Sequence, residues 1–177
     1  ELDFDLLGAQ VEACHDIGVK CPFYFTMGLS EIDALQHPEW CVRQRDGSFL
    51  IRHDDSFFTA KPDDPKPDSQ WYTLCLNTGY HDLMMAQVKE LCEMYPVDGL
   101  WFDIYNANQP CYCDNCVKDM KAQNISLDDL DAVKQFKVQV IKKHQKEMTE
   151  LILNHHPDAG IYFNGTTAIF TPENFHY

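Results

Sequence analysis

Val97-Asp98-Gly99-Leu100-Trp101-Phe102-Asp103-Ile104 is a short, almost continuous apolar run with a carboxylate near its end. Such a run is typical of a strand that is buried on both faces of a parallel sheet. Similar runs occupy residues 19–27 and 160–165. A helical pattern precedes each of the three runs, at residues 5–17, at residues 80–94 and from Ser126 to about His155. Strict alternation of helix and strand predicts a parallel sheet that is connected by right-handed crossovers.

This alternation fits either a (β/α) barrel or an open, doubly wound sheet. No glycine-rich phosphate loop follows any of the three runs, which disfavours a nucleotide-binding sheet. The long segment 28–70 contains several aromatic residues, so we interpret it as a folded excursion of the kind that barrels carry after their strands. We therefore predict an α/β fold of the (β/α)8 TIM-barrel type. Because a closed barrel needs about 250 residues, residues 1–177 are expected to form part of one barrel domain within a longer protein.

The composition narrows the class of partner. The 177-residue chain has a formal net charge of -14, which disfavours binding to the phosphate backbone of nucleic acids. No apolar run approaches the ~18 residues that a membrane span requires, and no secretory leader is visible at Glu1. We therefore expect a cytoplasmic protein with no nucleic-acid or membrane partner. The composition is compatible with a homo-oligomer.

Asp103 is the strongest candidate for a catalytic residue. Strand side chains alternate between faces, so Trp101, Asp103 and Tyr105 are expected to share one side of the strand. Asp103 also lies at the carboxyl end of its strand, where barrels place catalytic groups. A carboxylate in this position can act as nucleophile or as acid/base in glycoside hydrolysis. The alternative is a structural role, in which Asp103 caps the next element or pairs with an arginine.

Two residues beside Asp103 in this arrangement are candidates for substrate contacts. Asn164 ends the third strand and either binds a sugar hydroxyl or forms the turn before Gly165. Tyr105 follows Asp103 on the same predicted face. For Tyr24 and Thr26, which share one face of the first strand, we expect core packing.

The long segment adds two more candidates. Trp40 either offers an aromatic platform for a sugar or anchors the loop, and His53 either contacts the substrate or lies in a solvated turn. We favour the structural alternative for both residues.

Cys111, Cys113 and Cys116 form the sharpest local motif, C-x-C-x-x-C. Three thiols in this spacing can converge on one tetrahedral zinc ion, which then needs a fourth ligand. Cys75 is a candidate because it precedes the helix that leads to the second strand. The other candidates are Cys41, Cys92 and His81. A closed site with four protein ligands would be structural, and the alternatives are a reduced cluster without metal or a local disulfide.

Three stretches of the chain resemble the family called hypothetical glycosyl hydrolase six. They are residues 96–104 followed by the cysteine motif, His37-Pro38-Glu39-Trp40 with Asp46-Gly47, and Ile161-Tyr162-Phe163-Asn164-Gly165. The resemblance covers most of the chain from the first strand onward. It implies a barrel, a carbohydrate substrate and a glycoside hydrolase activity. With Asp103 as the reacting group, we expect a carboxylate-based, retaining mechanism.

The layout is also similar to the catalytic barrel of the zinc-containing β-galactosidases of glycoside hydrolase family forty-two. There a cysteine before a helix joins a later C-x-C-x-x-C at a structural zinc site, so this resemblance implies Cys75 as the fourth ligand. Those enzymes carry Asn-Glu directly after the strand aspartate, and the glutamate is their acid/base. Here Ile104-Tyr105 follow Asp103, so that acid is absent from this position.

Trp101-Phe102-Asp103 instead resembles the strand of the family twenty-nine α-L-fucosidases, whose nucleophile is an aspartate at this place. The resemblance implies Asp103 as the nucleophile and leaves the sugar open. A retaining mechanism needs a second carboxyl group ~5 Å away, which we expect on a strand outside this chain. Candidates within the chain are Glu39, Asp54 and Asp55. The alternative function is a catalytically inactive carbohydrate-binding or structural barrel with a zinc-cysteine site.

Overall fold

The computed structural model describes residues 3–52, 71–105 and 109–164. The helices in these ranges are α1 Leu6–Asp16, α2 Glu31–Gln36, α3 Gly79–Met94, α4 Asp114–Ala122 and α5 Leu130–His155. The strands are β1 Phe23–Thr26, β2 Ile51–Arg52, β3 Trp71–Tyr72, β4 Gly99–Asp103 and β5 Gly160–Phe163. A 3-10 turn, Pro38–Trp40, follows α2. No helix of the described ranges is both long and apolar enough to cross a membrane.

Strands β1, β4 and β5 form a parallel sheet in the order β1-β4-β5, which confirms the prediction from the alternating pattern. Trp101 in the central strand pairs with Tyr24 in β1 and with Tyr162 in β5. Because the strands are parallel, their carboxyl ends meet at one edge of the sheet. Thr26 and Asp103 pair at that edge.

Strands β2 and β3 form a small antiparallel ribbon that the sequence pattern did not predict. Ile51 pairs with Tyr72, and Arg52 pairs with Trp71. Each strand has two residues, too few for an alternating apolar pattern to be visible in the sequence. The described part of the long segment is folded, as its aromatic residues indicated.

The chain forms two compact units. The first comprises residues 1–27, 82–105 and 141–177, and the second comprises residues 28–81 and 106–140. The parallel sheet belongs to the first unit, and the β2–β3 ribbon belongs to the second. The expectation of one domain over residues 1–177 stays a prediction.

The parallel sheet has one buried and one open face. Phe102 and Phe163 are fully buried, and their rings stack with centroids 5.1 Å apart. On the other face Tyr24 is 61% exposed, Trp101 43% and Tyr162 37%. The expectation that these strands are buried on both faces is therefore wrong for the described residues. Alternation assigns residues to faces, but it cannot show which face the chain itself covers.

Helix α1 confirms the predicted helix at residues 5–17, and Asp5 caps it by accepting a 2.9 Å hydrogen bond from the backbone N–H of Gly8. Its apolar stripe is largely uncovered. Val11 is the buried residue of the helix, whereas Leu6 and Leu7 are exposed, as is Ile17 just after it.

The second unit contains a helix that the sequence pattern did not predict. Helix α4 begins directly after Cys113 and contains Cys116, the last cysteine of the C-x-C-x-x-C motif. Asn124 adopts a left-handed backbone (φ 57°), and the N–H of Ile125 bonds to the carbonyl of Met120 at 2.9 Å, which ends the helix. The next helix begins at Leu130 rather than at Ser126, and Asp129 caps it.

Candidate active site and candidate metal centre

Asp103 is the last residue of β4 and lies on the open face of the parallel sheet. Its position follows from the strand: Trp101 and Asp103 are two residues apart, so both side chains leave the same face. Asn164 lies directly after β5, where its backbone N–H bonds to the carbonyl of Phe102 at 2.7 Å. The carboxyl ends of β4 and β5 thus bring Asp103 and Asn164 together, and Tyr24 in β1 reaches the same carboxylate.

Three donors hold the Asp103 carboxylate. The hydroxyl of Tyr24 donates to Oδ2 at 2.6 Å. Asn164 Nδ2 donates to Oδ1, which also accepts the backbone N–H of Ile104 at 2.9 Å. Partial burial raises the pKa of Asp103, but these hydrogen bonds outweigh burial and hold the pKa below its usual value. The carboxylate is therefore ionised at neutral pH, as a nucleophile must be.

Ile104 has a left-handed backbone with φ 62°, a strained conformation for a β-branched residue. The turn points its N–H at Asp103 Oδ1 and ends the strand. It also changes the direction of the next side chain. Tyr105 is buried, and its ring packs edge-on against Phe163 with centroids 5.4 Å apart.

The expectation that Tyr105 shares a face with Trp101 and Asp103 is therefore wrong. Phe163 belongs to the buried side of the sheet, and Tyr105 packs on that side because the left-handed residue interrupts the alternation. A substrate contact by Tyr105 stays a prediction.

Tyr24 is the residue of this site that the sequence did not reveal. We expected it in the core, yet it is exposed and bonds to Asp103. Tyr24 is two residues before Thr26, the strand partner of Asp103, but this pairing is visible only in the structure. Trp101 and Tyr162 extend the same open face, with ring centroids 4.4 Å apart.

Trp40 takes a structural position in the second unit. Its indole stacks on His37 with ring centroids 3.8 Å apart. The indole also packs closely on Gly79, the first residue of α3. A Cβ added to Gly79 would lie only 2.9 Å from the ring, which is too close for a larger residue without a shift. These contacts support anchoring of the loop, and sugar binding by Trp40 stays a prediction. His53, Asp54 and Asp55 lie outside the described residues.

Glu39 is an exposed candidate for the second carboxyl group. A hydrogen bond with its own backbone, together with one to His37 Nδ1 at 3.2 Å, lowers the pKa of Glu39. A general acid needs a raised pKa to hold its proton at neutral pH. The surroundings of Glu39 therefore favour the ionised form, which does not suit that role.

The sulfurs of Cys75, Cys111, Cys113 and Cys116 lie within 4.8 Å of one another, and all four residues are buried. Four thiolates at a Zn–S distance of about 2.3 Å would have sulfurs about 3.8 Å apart in a tetrahedron. The cluster therefore has the donor set and the spacing to hold a metal ion. It contains Cys75, as the family forty-two resemblance implied, rather than one of its three competitors.

Local structure explains how these four thiols converge. Cys113 directly precedes α4 and Cys116 lies in its first turn, so both are near the helix N-terminus, where backbone N–H groups favour anionic ligands. The backbone N–H of Asn77 points at Cys75 Sγ, 3.5 Å away. Asn77 Nδ2 also donates to Asp119 in α4 at 2.9 Å, which connects the Cys75 turn to that helix.

Lys137 is a second residue that the sequence analysis missed. It is 3% exposed, and its Nζ donates to Cys75 Sγ at 3.7 Å. Hydrogen bonds from the other three thiols, assisted by the Lys137 charge, hold the pKa of Cys75 well below its usual value. The sequence did carry a signal, because Val133, Phe136 and Lys137 occupy one face of α5.

A family model described as hypothetical glycosyl hydrolase 6 matches residues 1–104, more than half of the chain. The chain belongs to the hypothetical glycosyl hydrolase 6 family. This confirms the family that the sequence resembles, and the matched residues end before the cysteine motif and residues 161–165. No curated protein matches the chain significantly.

Three solved structures that are similar to this hypothetical glycosyl hydrolase 6 chain are glycosidases. It is similar to α-L-fucosidase isoenzyme 2 from Paenibacillus thiaminolyticus, with 34% sequence identity and a TM-score of 0.77 over 93% of this chain and 23% of that one. The polyextremophilic β-galactosidase from the Antarctic haloarchaeon Halorubrum lacusprofundi has 15% identity and a TM-score of 0.66, over 99% of this chain and 32% of that one.

A third similar structure is the α-galactosidase from Lactobacillus brevis, with 13% identity and a TM-score of 0.53 over 89% of this chain and 18% of that one. The two galactosidases show likeness of fold alone. This chain spans less than a third of the length of each of the three structures.

Proposed function

We propose that the chain is part of a (β/α)8 barrel glycoside hydrolase with a retaining mechanism, and that Asp103 is the nucleophile. One observation carries this proposal. The Asp103 carboxylate lies at the carboxyl end of β4, on the open face of the sheet, and three donors hold it in its ionised form. The carboxyl end of a strand is where barrels carry out their chemistry.

The reaction follows from this group. A carboxylate oxygen of Asp103 attacks the anomeric carbon as the glycosidic C–O bond breaks. The electron pair of that bond leaves with the departing oxygen, which takes a proton from a second carboxyl group. Water then attacks the same carbon and gives a proton to that second group, and the Asp103 carboxylate is released. We infer that the second group lies on a barrel strand outside this chain.

The open face supports the barrel part of the proposal. Tyr24, Trp101 and Tyr162 lie in one row across the three strands, on the face that would line a barrel interior. Barrel interiors are packed with side chains from all eight strands. The remaining strands of the complete protein would cover this row.

The identity of the sugar substrate is the least constrained part of the proposed function. The 34% identical relative is an α-L-fucosidase, so an α-L-fucoside is the first substrate to test. Asn164 donates to Asp103 and thereby orients the nucleophile. Binding of the sugar by Asn164, Trp40, Tyr105 or His53 is a further prediction.

We also propose that the four cysteines hold zinc in a structural role. Four thiolate ligands fill a tetrahedral site and leave no position for a substrate. When bound, the metal would cross-link Cys75 to the start of α4. The core cluster around the thiols would then depend on the ion for its stability.

The decisive experiment is an activity screen of the complete protein against aryl glycosides, including α-L-fucoside and β-D-galactoside. Asp103→Asn should lower kcat by several orders of magnitude with folding intact. The matched control is Asp98→Asn. Asp98 accepts the N–H of Cys21 at 2.7 Å at the opposite end of β4, so this variant should keep its activity. Equal activity of Asp103→Asn and wild type would refute the nucleophile.

Absence of hydrolysis with every aryl glycoside would favour the second candidate function, a carbohydrate-binding or structural barrel. The observation behind that candidate is the lack of an Asn-Glu pair after β4, where Ile104-Tyr105 stand. Binding of an unmodified oligosaccharide without cleavage would support it.

A further inference from the structure

The two oxygens of the Asp103 carboxylate are held differently. Oδ1 accepts from Asn164 Nδ2 and from the backbone N–H of Ile104. Oδ2 accepts the hydroxyl of Tyr24 at 2.6 Å. A carboxylate oxygen has two lone-pair sites. Among the residues that the structure describes, donors fill both sites of Oδ1, whereas Oδ2 keeps one after it has bound Tyr24.

We propose that Tyr24 is a positioning residue that fixes Oδ2 of Asp103 as the attacking oxygen. The inference rests on the proposed function, because it assigns Tyr24 a role in the reaction of Asp103. The asparagine and the strained turn at Ile104 anchor Oδ1 from the side of β4 and β5. The tyrosine holds Oδ2 from β1, and the remaining lone pair of Oδ2 faces the anomeric carbon.

The strand geometry explains why a tyrosine serves here. Tyr24 is opposite Trp101, two pairs before the Thr26–Asp103 pair, so its hydroxyl must reach along the strands to the carboxylate. A phenol is long enough for this, while its ring remains part of the open row. The hydrogen bond to Asp103 raises the pKa of Tyr24, which therefore stays protonated and able to donate across the neutral range.

The groups that face the carboxylate determine its response to pH. From β1 there is Tyr24, with the Thr26 hydroxyl beside it; from the end of β5 there is the neutral amide of Asn164; and from β4 there is the Ile104 N–H. Tyr24 is the titratable group among them. The folded pKa of Asp103 is lowered, so loss of one donor should raise it and move the acidic limb of activity to higher pH.

Tyr24→Phe in the complete protein tests this inference. We expect the acidic limb of the kcat/KM profile to move up by ~0.5–1 pH unit and kcat to fall about tenfold, with little change in KM. Tyr24 is exposed, so the variant should fold normally. A carbon-13 NMR titration of the labelled Asp103 carboxylate, assigned by its absence in Asp103→Asn, should show the same upward shift.

Tyr95→Phe is the matched control, because it removes another tyrosine-to-aspartate hydrogen bond from the first unit. Tyr95 donates to Asp5 Oδ1 at 2.9 Å, and the control should leave both the profile and the Asp103 titration unchanged. An unmoved acidic limb and an unmoved Asp103 titration in Tyr24→Phe would overturn the inference, even if Asp103→Asn abolished hydrolysis. A shifted titration in a protein that cleaves no glycoside would instead support the contact and count against the proposed function.

Discussion

Lys137 is a buried cation beside four cysteines, with its Nζ 3.7 Å from Cys75 Sγ. Four thiolates around a divalent ion carry a net charge of about -2, and a buried net charge is costly unless it is compensated. We predict that Lys137→Met, which keeps the stem and removes the charge, will weaken zinc binding by about tenfold or more. Competition with a chromophoric chelator measures this affinity.

Lys137→Arg keeps the charge and is the matched control, so it should bind zinc more tightly than Lys137→Met. Equal affinity of the wild type and Lys137→Met would show that the lysine does not compensate the site. The pKa of Lys137 lies above its usual value, because attraction to the cysteine sulfurs outweighs the opposing effect of burial. Its charge is therefore expected throughout the neutral range.

The sequence pattern could predict some residues of the two candidate sites and not others. The thiol spacing predicted three members of the cysteine cluster, and the apolar run predicted the position of Asp103 at the carboxyl end of its strand. Tyr24 could not be placed, because alternation defines two faces and gives no sign of which one the chain leaves open. Tyr105 was placed on the wrong face because a left-handed isoleucine has no signature in the sequence.

At the scale of elements, the start of α5 offers a direct test of helix capping. Asp129 is the N-cap residue, and its Oδ1 accepts a 3.0 Å hydrogen bond from the backbone N–H of Ala132, three residues later. We predict that Asp129→Ala will lower the free energy of unfolding by about 1 kcal/mol. Ser126→Ala is the matched control, since its Oγ accepts from Asp128 N–H in the preceding turn at 3.3 Å and should matter less. Urea denaturation measures both, and a larger loss in Ser126→Ala would contradict the assignment.

The elements themselves were predictable where a pattern was long. Helix α3 follows from apolar periodicity and the three parallel strands follow from nearly continuous apolar runs, and only their boundaries moved. Helix α4 is nine residues long, and its buried residues are Cys116, which belongs to the cysteine cluster, and Met120. Two buried positions in so short a segment give too little apolar periodicity to predict a helix. The exposed stripe of α1 fits the proposed barrel, because elements outside this chain would cover its apolar residues.

At the scale of the whole molecule, the candidate metal centre belongs to the core of the second compact unit. The four cysteines pack with Val42, Met120, Val133 and Phe136, all of which are buried. Because a metal site forms only in the folded chain, the free energy of metal binding stabilises the unit that contains it. The parallel sheet and Asp103 belong to the first unit, whose core contains other residues.

We therefore predict that a strong zinc chelator will reduce protection from hydrogen exchange in residues 28–52, 71–81 and 109–140 before residues 82–105 and 141–164. Exchange detected by mass spectrometry resolves these ranges, including the change within α5 after residue 140. Cys75→Ser should reproduce the effect without chelator. Cys92→Ser, which alters a buried thiol of the first unit, should leave the second unit protected. Equal loss of protection in both units would mean that they unfold together. No loss of protection in either unit would show that the metal does not stabilise the protein.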